Sequence, residues 1–471
     1  MATGVMSMFV MNTRLRWPAY RCKCRITTYQ FCGDNERNMP ICQQPARKSK
    51  RAATNPCWQL RLYIAAVFIL LLISPSALSQ RLHLTGKTVS NVALKAITPD
   101  SEFAFKSTTD NGEQFPAAVG WSDLVSWGSM AVVRTPHLVV LADGSRIAAT
   151  QLQTNKQSLH IESEVFESVE LPWANVKAVV LQLPRRLEDR DKLVFDVCDH
   201  DSEEKTDLLI MSDGSKVSGS VLFVDGDTIQ IQLGTLPVLI ERKRVRAVAF
   251  GREGIDNLLQ SRVVGTRDGS IIRCKRLEVD ADILQVETTE EIRLTTLSPL
   301  LSGDPSGVDY LCFIQSTSEK IVWLDTIEPS HFRHIPLLGL NWRFNINRSV
   351  KGLHLRVRAG DSYLRGIGMH PTSVIQFELP SNSVDFVTEV AMDHSAGRRG
   401  SVSVHILLSD NGEDWDEVYT SNVIHGSDAV LPIKVPVSGR KHISLVVNHA
   451  NDGDVLDHVN WLRPYIVVKP N

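Results

Sequence analysis

Three segments of this 471-residue chain open alike: LVVLADGSRI at 138–147, LLIMSDGSKV at 208–217 and VVGTRDGSII at 263–272. With the aspartate (Asp143, Asp213, Asp268) set to zero, apolar residues recur at +4 (Ile147, Val217, Ile272), +16 (Leu159, Ile229, Leu284) and +18 (Ile161, Ile231, Val286). Asp-Gly between alternating apolar runs is a tight-turn signal, because Gly accepts φ > 0 and Asp accepts local backbone hydrogen bonds. The +16/+18 pair then sets two side chains on one face of a strand. A second turn falls near Asn155, Asp225-Gly226-Asp227 or Asp280, and units one and two close with Asn175–Val179 and Arg244–Val248. The pattern predicts a β-meander repeated three times over 136–303. The segment 80–135 is a degenerate further copy: with Thr85 at zero, Gly86, Val89 and Phe103 fit +1, +4 and +18, and Trp121-Ser-Asp-Leu124 echoes Trp173-Ala-Asn-Val176.

Two roles fit such repeats, a ligand surface of Sm-like barrel type or a stacked β scaffold that spaces the C-terminal domain from its anchor point. Turn chemistry alone explains the aspartates, which favours the scaffold.

Residues 1–79 read as a targeting leader. A 12-residue apolar run, Leu62–Ile73, follows Arg61 and the basic cluster Arg47-Lys48-Ser49-Lys50-Arg51, and Ala77-Leu78-Ser79 supplies a small-x-small site. This describes a signal peptide cleaved after Ser79, the run being shorter than the ~18–20 residues of a membrane span. No stretch after Gln80 is apolar enough to cross a membrane. The leader carries 11 Lys and Arg against Asp34 and Glu36; from chain totals of 51 basic and 53 acidic side chains, 40 and 51 remain beyond it. An acidic body argues against nucleic acid as partner, which calls for a basic surface. Of eight cysteines only Cys198, Cys274 and Cys312 lie beyond the leader, too few for a disulfide framework.

From about Ile321 the pattern changes to short alternating strands, such as Ile375–Leu379, Val402–Leu408 and Ile443–Val447. Turn signals at Pro380-Ser381-Asn382, Asp410-Asn411-Gly412, Ser438-Gly439 and Asn451-Asp452-Gly453 separate them. The chain is thus expected to be all-β: N-terminal meander repeats followed by a C-terminal β-sandwich of jelly-roll type.

The sequence over 320–468 contains Val322-Trp-Leu324 with Asp325, Ser349-Val-Lys-Gly352, Tyr363-Leu-Arg-Gly-Ile-Gly-Met-His370, Asp393, Gly400-Ser-Val402 and Asp457-His-Val-Asn-Trp461. In this order they resemble the NPCBM family, a carbohydrate-binding-module family often attached to glycoside hydrolases. The resemblance implies a β-sandwich that binds sugar without catalysis, with galactose-bearing glycans as precedent and a structural calcium in some members. It covers about a third of the chain.

Sugar binding needs aromatic faces and a few fixed polar groups in a shallow concavity. The candidates are the aromatics Trp342, Tyr363, Trp415, Tyr419 and Trp461 with the polar partners His370, Asp393, Asp457 and His458. Each also has a structural reading: Trp461 as core, Gly366 and Gly368 as close strand approach, His370 as a satisfied structural histidine, Asp457-His458 as a clamp on the last strand. Trp415, in a polar turn, is the aromatic expected to be exposed. Asn451, Asp452, Asp454 and Asp457 offer oxygen ligands for a calcium ion, though not at EF-hand spacing; no other cofactor is called for.

No nucleophile elbow, H-E-x-x-H, phosphate loop or C-x-x-C occurs beyond the leader, and adjacent Asp-His pairs on a strand point to opposite faces and make no triad. The expected protein is therefore secreted or of the cell envelope, not an enzyme, with glycan as partner. The alternative is a structural or interaction protein of the cell envelope whose sandwich binds protein. Exposure of Trp415 and Tyr363 together over a concavity separates the two.

Overall fold

The computed structural model describes residues 80–98, 101–108, 118–200, 206–252, 261–280, 282–297, 306–337, 339–357, 360–451, 453 and 455–470. The leader, with its apolar run and Ser79, lies outside the described residues, as do Asp452 and Asp454. The described chain is nearly all strand and belongs to one unit, Ser74–Asn471.

Each aspartate-glycine turn joins a first strand to a second. In the three full units the first strands are His137–Leu141, Asp207–Met211 and Arg262–Thr266. The turns form for the reason the sequence suggests: Oδ1 of Asp143, Asp213 and Asp268 accepts the N–H of the serine two residues on at 2.8, 2.9 and 2.9 Å. The glycines between adopt φ of 87°, 90° and 93°. The +16 and +18 side chains of all three units, from Leu159 to Val286, are buried in one shared core.

Each unit ends in a closing strand, Val176–Val180, Val245–Ala249 or Leu311–Gln315, which a short 3-10 turn introduces and which pairs back on the first strand. The third of these lies beyond residue 303. The degenerate unit is built alike, Leu82–Leu84 pairing with Lys87–Val89 and with Leu124–Gly128.

The units join two by two through their closing strands, always with fourth residue opposite fourth: Val179 faces Val248, and Ile314 faces Trp127. These local two-fold relations, with one bridge between the second strands at Arg146 and Ile271, merge the units into a 16-stranded sheet. At that bridge the motif serines acquire a second task. Ser270 Oγ accepts Ala148 N–H and Ser145 Oγ accepts Arg273 N–H, both at 2.9 Å and both fully buried. The equivalent Ser215 faces solvent and donates to its own Asp213 at 2.7 Å.

This difference sets up a comparison. At Gly214 a Cβ meets nothing within 4 Å, whereas at Gly269 it would sit 2.6 Å from the Val133 backbone nitrogen. Gly214→Ala therefore carries only the left-handed-backbone cost, about 1–2 kcal/mol. Gly269→Ala adds a collision that backbone must absorb, a further ~1–3 kcal/mol. Urea unfolding of the two variants is expected to separate them in that order; equal losses would contradict the packing described.

Residues from 321 onward form a sandwich of two six-stranded sheets. The first is built around Val459–Val468, with Gly366–Met369 and Ser383–Met392 as its neighbours. The second runs His331–His334, Ser373–Glu378, His442–His449, Ser401–Ser409 and Asp416–Thr420. Alternating residues of both sheets, among them Phe377, Phe386, Val404, Leu445 and Trp461, make the core between them.

The outer face of the first sheet is also buried. Trp323 and Tyr465 pack with Val125 of the degenerate unit, and Glu389 bonds Arg81 at 2.8 Å and pairs with Arg463. The repeats therefore do more than space the sandwich from an anchor: they cover one of its faces. Among the described residues an α-helix, α1 (Leu187–Cys198), follows the first unit and reaches the same domain, Phe195 meeting His354 at 4.6 Å between ring centres. Among the described residues no helix is long and apolar enough to cross a membrane.

Candidate functional site

The sandwich's distinctive side chains divide into a buried frame and a cluster at one end. The frame begins with Arg365, which is fully buried, lies over the Trp323 ring at 4.6 Å and forms an ion pair with the equally buried Asp325 at 2.8 Å. Asn347 completes it, donating to Asp325 at 2.8 Å and accepting the Gly366 N–H at 3.0 Å. A Cβ at Gly368 would meet the Val350 nitrogen at 2.4 Å, so the glycine permits close strand approach. Arg365 escaped the sequence reading, although it stands inside the Tyr363–His370 motif; a lone arginine between apolar neighbours carries no signal of its partner 40 residues away.

The cluster lies where Gly366–Met369 and Val459–Val468 leave the first sheet and the loop after His331–His334 crosses their ends. The half-buried indole of Trp342 stacks on His370, with ring centres 4.8 Å apart and planes at 11°, and reaches His458 at 5.7 Å. His370 is 5.8 Å from both His334 and His458.

Hydrogen bonds set the tautomers. Asp393 Oδ1 accepts the Ser395 hydroxyl at 2.6 Å, so the Ser395 oxygen accepts from His458 Nδ1 at 2.9 Å, and Asn460 donates to Asp393 Oδ2 at 2.8 Å. His370 Nδ1 donates to the Pro371 carbonyl at 2.8 Å. Nε2 of both His458 and His370 is then the acceptor nitrogen. Burial, the Lys351 cation and His370 hold the His458 imidazolium down to about 4 against the opposing pull of Asp393, so this ring is neutral at pH 7. Since the Ser395 hydroxyl points at Asp393 and not at an imidazole, Asp393, Ser395 and His458 do not compose a nucleophilic triad.

Around the cluster stands an apolar rim. Ile335, Leu337, Leu340 and Val455 are 49%, 54%, 70% and 63% exposed. The result is a half-buried aromatic ring over the buried imidazoles of His370 and His458, 5% and 4% exposed, beside exposed apolar side chains, an arrangement whose accessible part is the Trp342 face.

The other candidates stand elsewhere. Trp461 is fully buried in the sandwich core, since its side chain points between the sheets, and is no surface platform. Tyr363 is 6% exposed beneath the Arg463 guanidinium, 4.8 Å from its ring centre, and burial pushes its phenol up to about 12. Tyr419 packs on the core.

Trp415, half-buried, donates to the Gly412 carbonyl at 3.2 Å and neighbours His442, beside Ser409. The cluster adjoins the Ser401 end of the same nine-residue strand, roughly 25 Å away by strand rise. Trp415 is thus remote from the cluster, and Tyr363, being buried, offers no exposed face beside it.

Asp457 is also buried and accepts the Ser401 N–H at 2.7 Å, which ties the last loop to the second sheet. Asn451 uses its backbone for the same end, its N–H donating to Ser401 Oγ at 3.1 Å and its carbonyl accepting from that hydroxyl at 3.0 Å. Of the four expected calcium ligands, Asp452 and Asp454 lie outside the described residues, and the bonds to Ser401 use one carboxylate oxygen of Asp457 and the backbone alone of Asn451. A calcium ion on Asn451, Asp452, Asp454 and Asp457 requires the melting temperature to fall when chelator is added, and an unchanged value removes it.

Trp342 came from the sequence as one aromatic among five; its place over His370 was not legible there. His334 was not singled out at all. Its Nδ1 accepts the backbone N–H of Trp342 at 3.3 Å and so holds the loop that carries the indole.

The family model of the NPCBM/NEW2 domain matches residues 320–467. A curated Renibacterium salmoninarum protein named "Putative endo-alpha-N-acetylgalactosaminidase" is 29% identical over 97 residues, 20% of this chain and 6% of its own length, so the chain spans only a small part of that relative. Among solved structures, CBM51 from Clostridium perfringens GH95 in complex with methyl-galactose is 26% identical, covering 31% of this chain and 99% of that one at a TM-score of 0.27. CBM51-2 with INT domains from Clostridium perfringens ZmpB, in complex with GlcNAc, is 19% identical over 46% of this chain and 45% of that one, at 0.28. The C-terminal third of the chain, residues 320–467, is an NPCBM/NEW2 domain.

Proposed function

We propose that this chain is a secreted, non-catalytic carbohydrate-binding protein whose C-terminal sandwich holds a glycan at the Trp342–His370–His458 cluster. The observation that carries the reading is the Trp342 ring held beside two histidines whose acceptor nitrogens are fixed by Pro371 and Ser395. One face of a pyranose supplies C–H groups for the indole, and a hydroxyl supplies the donor for Nε2 of His458. Galactose and N-acetylgalactosamine glycans are the first ligands to test, given the family and the name of the curated relative. Secretion rests on the run Leu62–Ile73.

A glycan array with residues 80–471 tests the proposal. The repeats must be kept because they cover Trp323 and Tyr465 of the sandwich. Binding to a defined glycan set is expected. Silence from the folded protein would favour the second reading, an interaction protein of the cell envelope, for which the burial of Tyr363 and Trp461 and the remote place of Trp415 speak.

Affinity should follow pH in a way that an ordinary histidine would not produce. Because His458 stays neutral in the fold until about pH 4, binding is expected to hold from pH 7 to about 5 and to fall near 4. Fold stability declines sooner: below about 6.5 the unfolded chain takes up the proton that folded His458 refuses until about 4, and His83, held down to about 3 by burial and by Arg463, adds the same slope. A titration in which affinity halves by pH 6 while the protein stays folded would contradict the neutral acceptor role.

A further inference from the structure

A cavity of about 60 Å³ lies far from the Trp342 cluster, where α1, the bridge between units one and three, and the sandwich segment 354–362 meet. One wall is polar: Arg146, Arg190, Arg356, Asp191 and Ser362. Asp191 is already bound to Arg356, with Nη2 to Oδ1 at 2.8 Å. Arg190 donates to the carbonyls of Pro184 and Val133, and Arg146 lies over the Phe195 ring at 6.0 Å. Among the described residues neither Arg146 nor Arg190 has a carboxylate in ion-pair range, so three guanidinium groups face one carboxylate.

Burial sharpens the imbalance. Ser362 is 7% exposed and its hydroxyl has no hydrogen-bond partner in the protein; nor have Nε of Arg146 and Nε of Arg356, which are also buried. Unsatisfied buried donors are costly, and so is an uncompensated cation, which makes such a place a candidate for a bound anion. His354, on the same cavity, reports the field: burial, then Arg146, Arg356 and Arg348, hold its imidazole far below its usual range. Hydrocarbon makes up the rest of the lining, with Met130, Leu138, Val194 and Ile271 among it.

We propose that this cavity binds a short-chain monocarboxylate, with its carboxylate on Ser362 Oγ and the guanidinium groups of Arg146 and Arg356, and its alkyl tail against Met130, Leu138 and Ile271. The size agrees: at ~10–15 Å³ per water-sized site the space takes about four to six non-hydrogen atoms, the range from acetate through propionate to butyrate. Inorganic phosphate would satisfy the arginines and leave the hydrocarbon lining unused. A ligand here touches α1, both paired units and the sandwich at once, and so stabilises their junction.

Thermal unfolding of the full chain in sodium propionate, against sodium chloride of equal ionic strength, tests the site. A saturable rise in melting temperature is expected, larger for propionate than for phosphate. Arg146→Met should weaken the apparent affinity at least tenfold, and Ser362→Ala about fivefold. Equal melting in propionate and chloride, a rise that never saturates, or a rise unchanged in Arg146→Met would overturn the proposal. If Arg146→Met does not fold, Ser362→Ala decides by the same readout, together with calorimetric titration of propionate into the unaltered chain. Glycan binding plays no part in these measurements, so the outcome is independent of the Trp342 site.

Discussion

Asp325→Ala is expected to remove about 3–5 kcal/mol of stability, a large share of the ~5–15 kcal/mol that holds an ordinary domain folded. The pair it breaks has no access to water: the side chains of Asp325 and Arg365 are both fully buried. Arg365 is already a strained cation. Burial lowers its pKa and Asp325 is the group that opposes the shift. With the carboxylate gone, the guanidinium retains only the Trp323 face, and Asn347 loses the acceptor that orients it toward the Gly366 N–H.

The double variant Asp325→Leu/Arg365→Met removes both charges and is expected to be more stable than Asp325→Ala alone, because hydrocarbon of similar volume replaces an ion pair at little net cost. Urea unfolding of residues 80–471 measures all three proteins. A loss below about 1 kcal/mol for Asp325→Ala, or a double variant worse than the single, would show that the pair does not organise the frame.

That frame also marks the limit of what the sequence discloses. The meander was legible because its signals are local: a tight turn every unit, and apolar side chains at fixed offsets that prove buried from Ile147 to Val286, Val217 alone among them being half-buried. The same holds for the strands of the second sheet, which alternate because only one of their faces meets the core. What escaped depends on contacts between distant segments. Ser145 and Ser270 look like turn residues and nothing in their neighbours announces that they also pair units one and three. The helix α1 carries apolar residues at Leu193, Val194 and Val197, too short a stripe among its aspartates to stand out beside the repeats.

Among the site candidates the choice between core and surface could not be made from residue type. Trp461 and Trp342 are equally good platforms on paper. Period-two alternation puts Trp461 between the sheets, and only the loop from His334 to Trp342, which has no period, puts Trp342 over His370.

Trp342→Ala is therefore expected to abolish measurable glycan binding while leaving the fold intact. The indole is half-buried, and its packing partners are the rings of His370 and His458 at the exposed end of the domain, not the residues of the sandwich core. Its loss costs little stability but removes the only broad apolar face beside the acceptor nitrogens. An aromatic that anchors a small ligand contributes about 2 kcal/mol or more, a loss of thirtyfold or beyond, which takes a weak lectin-like site below detection.

Trp415→Ala serves as the control: its ring is bonded to Gly412 at the other end of the second sheet, so affinity should stay within a factor of two. His370→Phe refines the test by keeping a ring under the indole and removing the acceptor. Weakened binding with unchanged melting would assign the loss to the lost hydrogen bond and not to the stack. Were Trp342→Ala to bind as before and Trp415→Ala to fail, the ligand surface would lie on the Asp416–Thr420 edge, and the histidine cluster would be no more than the cap of the first sheet.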